Sequence, residues 1–278
     1  MIDDRAKRSF DEQSYVVARG LFDVEETAFL RDHFTRLREA GAHPGDVVGV
    51  EPSSDDPLRK YPRMIHMHRW DTITLDWLLG PRLAQWLTSL LGGMEPFAVQ
   101  TMLYFKPPGA RGQAVHQDQY YLRAEPGTCI AAWMALDSCD EENGCLEVVP
   151  GSHEWPILCT IGADTSRSFT DLTVPLPDDA ELVPVPMAPG DVLFFNGSLV
   201  HGSKPNSSDR FRRALIGHYI QADADEVAYW YHPVLRMDGS KVKLKKGPGG
   251  GPCGEWADSD GRRVIELTGF AVDPRTTE

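Results

Sequence analysis

From Pro96 onward the chain is cut into short pieces. FAVQTMLYF, TCIAAWMAL, CLEVV, AELVPVPM, DVLFF and RALIGHYI are brief runs rich in β-branched and aromatic residues. Turn signals separate them: Pro107-Pro108-Gly109, Pro126-Gly127, Glu142-Asn143-Gly144, Pro150-Gly151, Pro189-Gly190-Asp191 and Asn196-Gly197. Short strands at this spacing predict a jelly roll or a related sandwich. Ahead of them, residues 24–40 set Phe29, Leu30, Phe34 and Leu37 at helical spacing, with Gly41 as a stop. Residues 75–91 read as one or two helices that pause near Gly80-Pro81 and end at Gly92-Gly93. Helices first and strands later predict an α+β chain, mainly β, with helices packed outside one β core. No linker marks a second domain, so the 278 residues are expected to form one. Its parts are a helical stretch over about 1–95, a β core over about 96–222 and a C-terminal extension over about 223–278.

A net charge of −13 argues against a nucleic acid or an anionic membrane as partner. The opening MIDDRAKRSFDEQSYVV has no apolar run of the kind a secretory signal needs, and no stretch approaches the ~20 apolar residues of a membrane span. The five cysteines, Cys129, Cys139, Cys145, Cys159 and Cys253, are odd in number and include no CxxC pair. They predict reduced structural thiols in a cytoplasmic protein rather than a disulfide framework or a thiolate zinc site. Residues 240–256, SKVKLKKGPGGGPCGEW, are basic and then glycine-rich, without the Gly-Lys-Ser/Thr ending of a phosphate loop. They read as a solvated flexible loop, with a mobile lid or an anion-attracting rim as the alternative.

Chemistry concentrates in three places. GQAVHQDQYY contains His116-Gln117-Asp118, and on a strand positions i and i+2 share a face, so imidazole and carboxylate converge. DVLFFNGSLVHGS delivers His201 just after an apolar strand. Two histidines and a carboxylate on one face make the facial triad of non-haem iron(II) oxygenases, which leaves coordination positions open for an oxoacid and dioxygen. HxD alone is a weak signal, and seven further histidines (His33, His43, His66, His68, His153, His218 and His232) show how easily chance supplies one. Arg212 strengthens it: eleven residues after His201, it opens the strand RRALIGHYI, where a guanidinium can pair with a carboxylate in two-point fashion.

With TMLYFKPPG, HQD, AAWMAL, ENGCLEVVPGSH, PGDVLFF and HGSKPNSSDRFRRA in this order over about residues 96–220, the chain resembles the phytanoyl-CoA dioxygenase family of Fe(II)/2-oxoglutarate-dependent oxygenases. The resemblance implies a double-stranded β-helix (jelly-roll, cupin-like) core. It implies iron(II) on His116, Asp118 and His201, and Arg212 on the distal carboxylate of 2-oxoglutarate. It places Met102, Gln117 and Trp133 along the co-substrate pocket and allows Ser203 to add a hydroxyl. For Met102 and Trp133 plain core packing explains the residue equally well. A basic residue the family carries before its first core strand has no assigned counterpart, with Arg63, His66 and His68 as candidates. Related halogenating enzymes have a small residue in place of the carboxylate, so Asp118 favours hydroxylation or another oxidation. Ser152 and His153 are expected to tie their loop rather than reach iron.

The implied reaction oxidises a small free metabolite or natural-product intermediate with O2, and converts 2-oxoglutarate to succinate and carbon dioxide. Gln119, Tyr120 and Tyr121 are candidates for the pocket mouth, and Tyr229-Trp230-Tyr231-His232 for either a substrate wall or ordinary core. An acyl-CoA would want a basic groove, and only Lys241, Lys243, Lys245 and Lys246 form a basic run. Two rivals stay open: a cupin-like metal-dependent isomerase, epimerase or oxygenase that needs no 2-oxoglutarate, and a non-catalytic jelly-roll binding module.

Overall fold

Strand Arg212–Gln221 organises the molecule, because it is hydrogen-bonded on both sides along its length. The computed structural model describes residues 2–46, 49–260 and 262–271. One neighbour of the central strand is Pro96–Lys106, followed outward by Val234–Leu235 and Lys241–Val242. The other is Cys129–Ala135, followed by Val192–Asn196 and, at the edge, Tyr15–Ala18. Met64–Ile65 also pairs with Pro96–Lys106, which makes eight strands in this sheet. A second sheet has four strands, in the order Gln113–His116, His201–Ser203, Leu146–Val148 and Val183–Val185. The fold is mainly β, and all pairing within these two sheets is antiparallel.

The two-residue period of the strands decides which layer each side chain joins. Leu215 and Tyr219 of the central strand turn outward, as do Met134, Phe194 and Leu103 of its neighbours, and pack against helical residues Phe34, Leu78, Leu83 and Leu87. Ala214, Ile216, Trp133, Leu193 and Phe195 turn the other way and meet Leu146, Val148 and Val185 of the small sheet. Helices, large sheet and small sheet are thus stacked, and the space between the sheets is where inward-pointing polar residues collect.

The helices form where expected. Val24–Glu39 starts on a capping box in which Asp23 and Glu26 each bond the other's backbone N–H. Leu30 and Phe34 are buried, whereas Phe29, grouped with them by spacing, is exposed. Thr72–Leu78 and Pro81–Leu90 are two helices, with proline opening the second. The first 95 residues also hold strands Tyr15–Ala18 and Met64–Ile65, so this part contributes two strands to the large sheet as well as its covering helices.

Two expectations about the C-terminal part need correction. Lys241–Val242 and Lys245–Gly247 are strands, the latter parallel to Glu226–Ala228, and Gly251–Ser259 forms a ribbon with Arg262–Ala271. Residues 240–256 are therefore built into paired structure rather than forming a free loop. Cys159 and Cys253 form a disulfide across 94 residues, so the thiols are not all reduced; Cys129, Cys139 and Cys145 are free and buried. Main-chain bonds between Cys159 and Gly254 and between Gly254 and Ile157 bring the two segments together. Among the described residues no helix is long and apolar enough to cross a membrane.

Candidate functional site

His116 and His201 are directly opposed across the pairing of Gln113–His116 with His201–Ser203. Their ring centroids lie 4.3 Å apart. Each ring donates Nδ1–H to the carbonyl two residues earlier, at 2.9 Å to Ala114 O and 3.0 Å to Leu199 O. Both bonds fix the tautomer that leaves the Nε2 lone pair for a metal.

Asp118 reaches the same point by a route the sequence did not reveal. The strand ends at His116, and Asp118 has helical backbone angles (φ −62°, ψ −34°) at the head of the turn Gln119–Leu122. A turn, rather than strand alternation, brings its carboxylate back to the histidines. Oδ1 lies 3.5 Å from His116 Nε2 and Oδ2 3.8 Å from His201 Nε2. One ligand atom from each of the three residues lies within 4.8 Å of the other two, and all three residues are buried.

Burial alone would raise the Asp118 carboxyl, but the neighbouring imidazoles of His201, His218 and His116 outweigh it and hold its pKa well below the ordinary range. Burial, with His116 nearby, pulls the His201 imidazole down to about 4. An ionised carboxylate beside a neutral imidazole is the protonation state that a divalent metal requires. Nitrogen and oxygen donors without thiolate suit iron(II), and three protein ligands leave room for others.

Arg212 is the second feature. It is buried, its Nε has no hydrogen-bond partner, and among the described residues no carboxylate lies within ion-pair distance. Its guanidinium carbon is 5.3 Å from the centre of the Trp133 ring. A buried cation without a counterion is costly, and burial lowers its pKa. A carboxylate-bearing ligand would resolve that cost.

A cavity of about 360 Å³ joins the triad to Trp133 and Met102 and is walled further by Arg63, Gln100, Tyr104, Gln113, Tyr121, Phe195 and Tyr231. Met102 and Trp133 therefore face it. Gln117 does not line it: its amide donates to Ser198 O at 2.9 Å and accepts from Leu158 N at 2.8 Å, so it ties loops together behind the site. Ser203 is outside it as well, because its hydroxyl accepts from buried Lys106 Nζ at 3.0 Å. Lys106 also donates to the carbonyls of Gly144 and Lys204. Gly144 has φ +71°, and a Cβ there would run into Lys106 Nζ and the Lys204 carbonyl. Of the candidates for the mouth, Tyr121 lines the cavity, whereas Gln119 bonds Ala124 O and Tyr120 packs beside Cys253. Tyr231 contributes from the aromatic cluster 229–232, and no residue of 240–256 does. Ser152 ties its loop as expected, accepting from Val200 N.

Two residues were missed. His218 places Nε2 3.0 Å from Asp118 Oδ2, and its signal was available: it is six residues after Arg212 on one strand and hence on the same face. Gln113 sets its amide nitrogen 3.1 Å from His116 Nε2.

Known proteins resemble this chain in sequence and fold. The family model for phytanoyl-CoA dioxygenase matches residues 10–214. Phytanoyl-CoA dioxygenase 1 of Oryza sativa subsp. japonica is 28% identical over 255 residues, covering 80% of this chain and 90% of the rice protein. The solved structure of EctD from S. alaskensis with 2-oxoglutarate and 5-hydroxyectoine is 25% identical, with a TM-score of 0.63 over 79% of this chain and 76% of that one. EvdO2 from Micromonospora carbonacea var. aurantiaca is 25% identical, with a TM-score of 0.65 over 80% of this chain and 92% of that one.

Proposed function

The chain belongs to the phytanoyl-CoA dioxygenase family and is an iron(II)- and 2-oxoglutarate-dependent dioxygenase; from that premise we propose that it hydroxylates a small-molecule metabolite or natural-product intermediate and releases succinate and carbon dioxide. In this reading residues 1–278 form one domain on a double-stranded β-helix. His116, Asp118 and His201 hold the iron. When bound, the iron supplies the activation of dioxygen that couples loss of carbon dioxide from the oxoacid to oxidation of the substrate. The protein's part is orientation. Arg212 takes the far carboxylate of 2-oxoglutarate in a two-point pair, and Trp133 and Met102 wall the path between that carboxylate and the metal.

The observation that carries this reading is the guanidinium of Arg212, buried without a counterion and near the cavity wall that continues to a ready-made His-Asp-His site. The cavity volume is at the small end of ligand pockets, which favours a compact substrate over a coenzyme A thioester. The lysines of 240–256 stay outside it. A cytoplasmic location belongs to the same proposal; the Cys159–Cys253 pairing is the feature that weighs against it, and alkylation of protein freshly taken from cells distinguishes the two.

The test is to add Fe(II) and 2-oxoglutarate without oxygen and record the visible spectrum of wild type, Asp118→Ala and Arg212→Ala. A weak metal-to-oxoacid charge-transfer band in wild type, lost or weakened in the variants, is expected. If Arg212→Ala binds 2-oxoglutarate as wild type does, the cupin-like alternative takes over.

A further inference from the structure

The two imidazoles of the triad are oriented by carbonyls two residues earlier in their own segments, but the carboxylate is not. Asp118 stands at the head of the turn Gln119–Leu122, where an aspartate ordinarily accepts a bond from the backbone N–H two or three residues on, and it makes no such bond. Its orientation is set from across the cavity. His218, buried on the central strand, has Nε2 3.0 Å from Asp118 Oδ2. An ionised carboxylate has no proton to give, so the imidazole donates. Oδ1 remains, 3.5 Å from His116 Nε2 and without a hydrogen bond from His218.

We propose that His218 is a positioning residue of the metal site: by occupying Asp118 Oδ2 it turns the carboxylate so that Oδ1 alone is presented to the metal. The inference rests on the metal-binding reading above and extends it to a residue outside the three metal ligands. Arg212, Ala214, Ile216 and His218 share the inward face of one strand, so a single strand carries the co-substrate's guanidinium at one end and the ligand's orienting imidazole at the other. The pairing register with Pro96–Lys106 shifts between His218 and Tyr219. A bulge at that point re-aims side chains locally, and here it lies beside the residue that must meet Asp118.

The experiment measures Mn(II) affinity of the metal-free protein by calorimetry for wild type, His218→Ala, His218→Gln and Asp118→Ala, alongside the melting temperature of each metal-free form. Loss of an outer partner of a metal ligand weakens affinity by about 10–100-fold, and His218→Ala is expected in that range. His218→Gln keeps an N–H donor and should recover most of the loss. The Co(II) absorption spectrum should differ between wild type and His218→Ala and return towards wild type in His218→Gln, which a purely structural role would not produce. Should His218→Ala not fold, His218→Leu fills the space without a donor and takes its place. Wild-type Mn(II) affinity in the donor-less variant overturns the proposal, as does equal weakening in the Ala and Gln variants. If wild type itself binds no Mn(II), the metal-site reading falls as well; binding that is lost in Asp118→Ala but unchanged in His218→Ala sinks only the role of His218.

Discussion

The two ends of the cavity are finished to different degrees. At the metal end each ligand side chain already has a protein partner: Ala114 O and Leu199 O for the imidazoles, His218 for the carboxylate. At the other end Arg212 has been taken out of water and, among the described residues, given no counterion. A group oriented by the protein can wait in its working geometry. A buried unpaired cation raises the free energy of the empty state, and that cost is relieved when a carboxylate arrives. The metal end is thus organised for geometry and the Arg212 end for affinity, and each can be disturbed separately.

The largest effect is expected at the metal end. Asp118→Ala removes one of the three proposed ligands and the charge that would offset a divalent cation. Turnover of 2-oxoglutarate, followed as succinate, should fall to background, a loss of roughly a thousandfold or more, as for removal of a residue that acts as part of a unit. Turnover near wild type in this variant would dissolve the distinction between the two ends.

Acid should also find the metal end first. The His201 imidazole is ordinarily at 6.5 and lies at about 4 in the folded protein, because burial and neighbouring His116 disfavour its charged form. Between those values the unfolded chain binds a proton that the folded chain refuses, so stability of the metal-free protein falls as pH drops from about 6.5 to about 4. The ceiling is about 3–4 kcal/mol at about 1.4 kcal/mol per pH unit. Asp118, held low, loses its contribution in the same direction at still lower pH. Thermal melts across this range should flatten in His201→Asn. Arg212→Met should leave the slope alone, since a guanidinium stays charged throughout.

Arg212→Met sharpens the comparison from the other side. Affinity for 2-oxoglutarate in the presence of Mn(II) should fall about a hundredfold, as truncating one partner of a buried charged pair commonly does. Mn(II) affinity should hold, and the metal-free protein should melt no lower than wild type, because the substitution removes an uncompensated charge. In wild type 2-oxoglutarate should raise the melting temperature, and in the variant it should not. A variant that melts much lower, with 2-oxoglutarate binding intact, would make Arg212 a structural residue.

The contrast also marks what a sequence can reveal. Strand runs and helix stops were legible because each is a local pattern: RRALIGHYI read as an apolar strand opened by Arg212, and Gly80-Pro81 marked the pause at which two helices in fact meet. His201 and Arg212 were legible because their strands announce them. The route of Asp118 was not, since HxD reads as a strand until the backbone turns after His116. Gln117 and Ser203 were misplaced for a related reason: a motif position says nothing about which way an amide or hydroxyl points, and both are consumed by loop bonds. His218 was hidden among other histidines, although its even spacing from Arg212 was sufficient to find it. The disulfide escaped because its cysteines lie 94 residues apart and meet only through the packing of the C-terminal ribbon.

The smallest effect tests whether the metal end is as finished as it looks. Gln113 Nε2 lies 3.1 Å from His116 Nε2, where it donates to the lone pair that a metal would use. Metal loading must break this bond, and a neutral hydrogen bond contributes about 0.5–1.5 kcal/mol. Gln113→Ala should therefore strengthen Mn(II) binding by about two- to tenfold, while 2-oxoglutarate affinity of the metal-loaded protein stays within a few-fold of wild type. The sign is what matters. Stronger binding makes Gln113 a placeholder that satisfies His116 until the metal arrives, so even the organised end keeps one contact to exchange. Weaker binding makes Gln113 a support for His116 in the loaded state, and the two ends then differ only in that one is complete and the other is not.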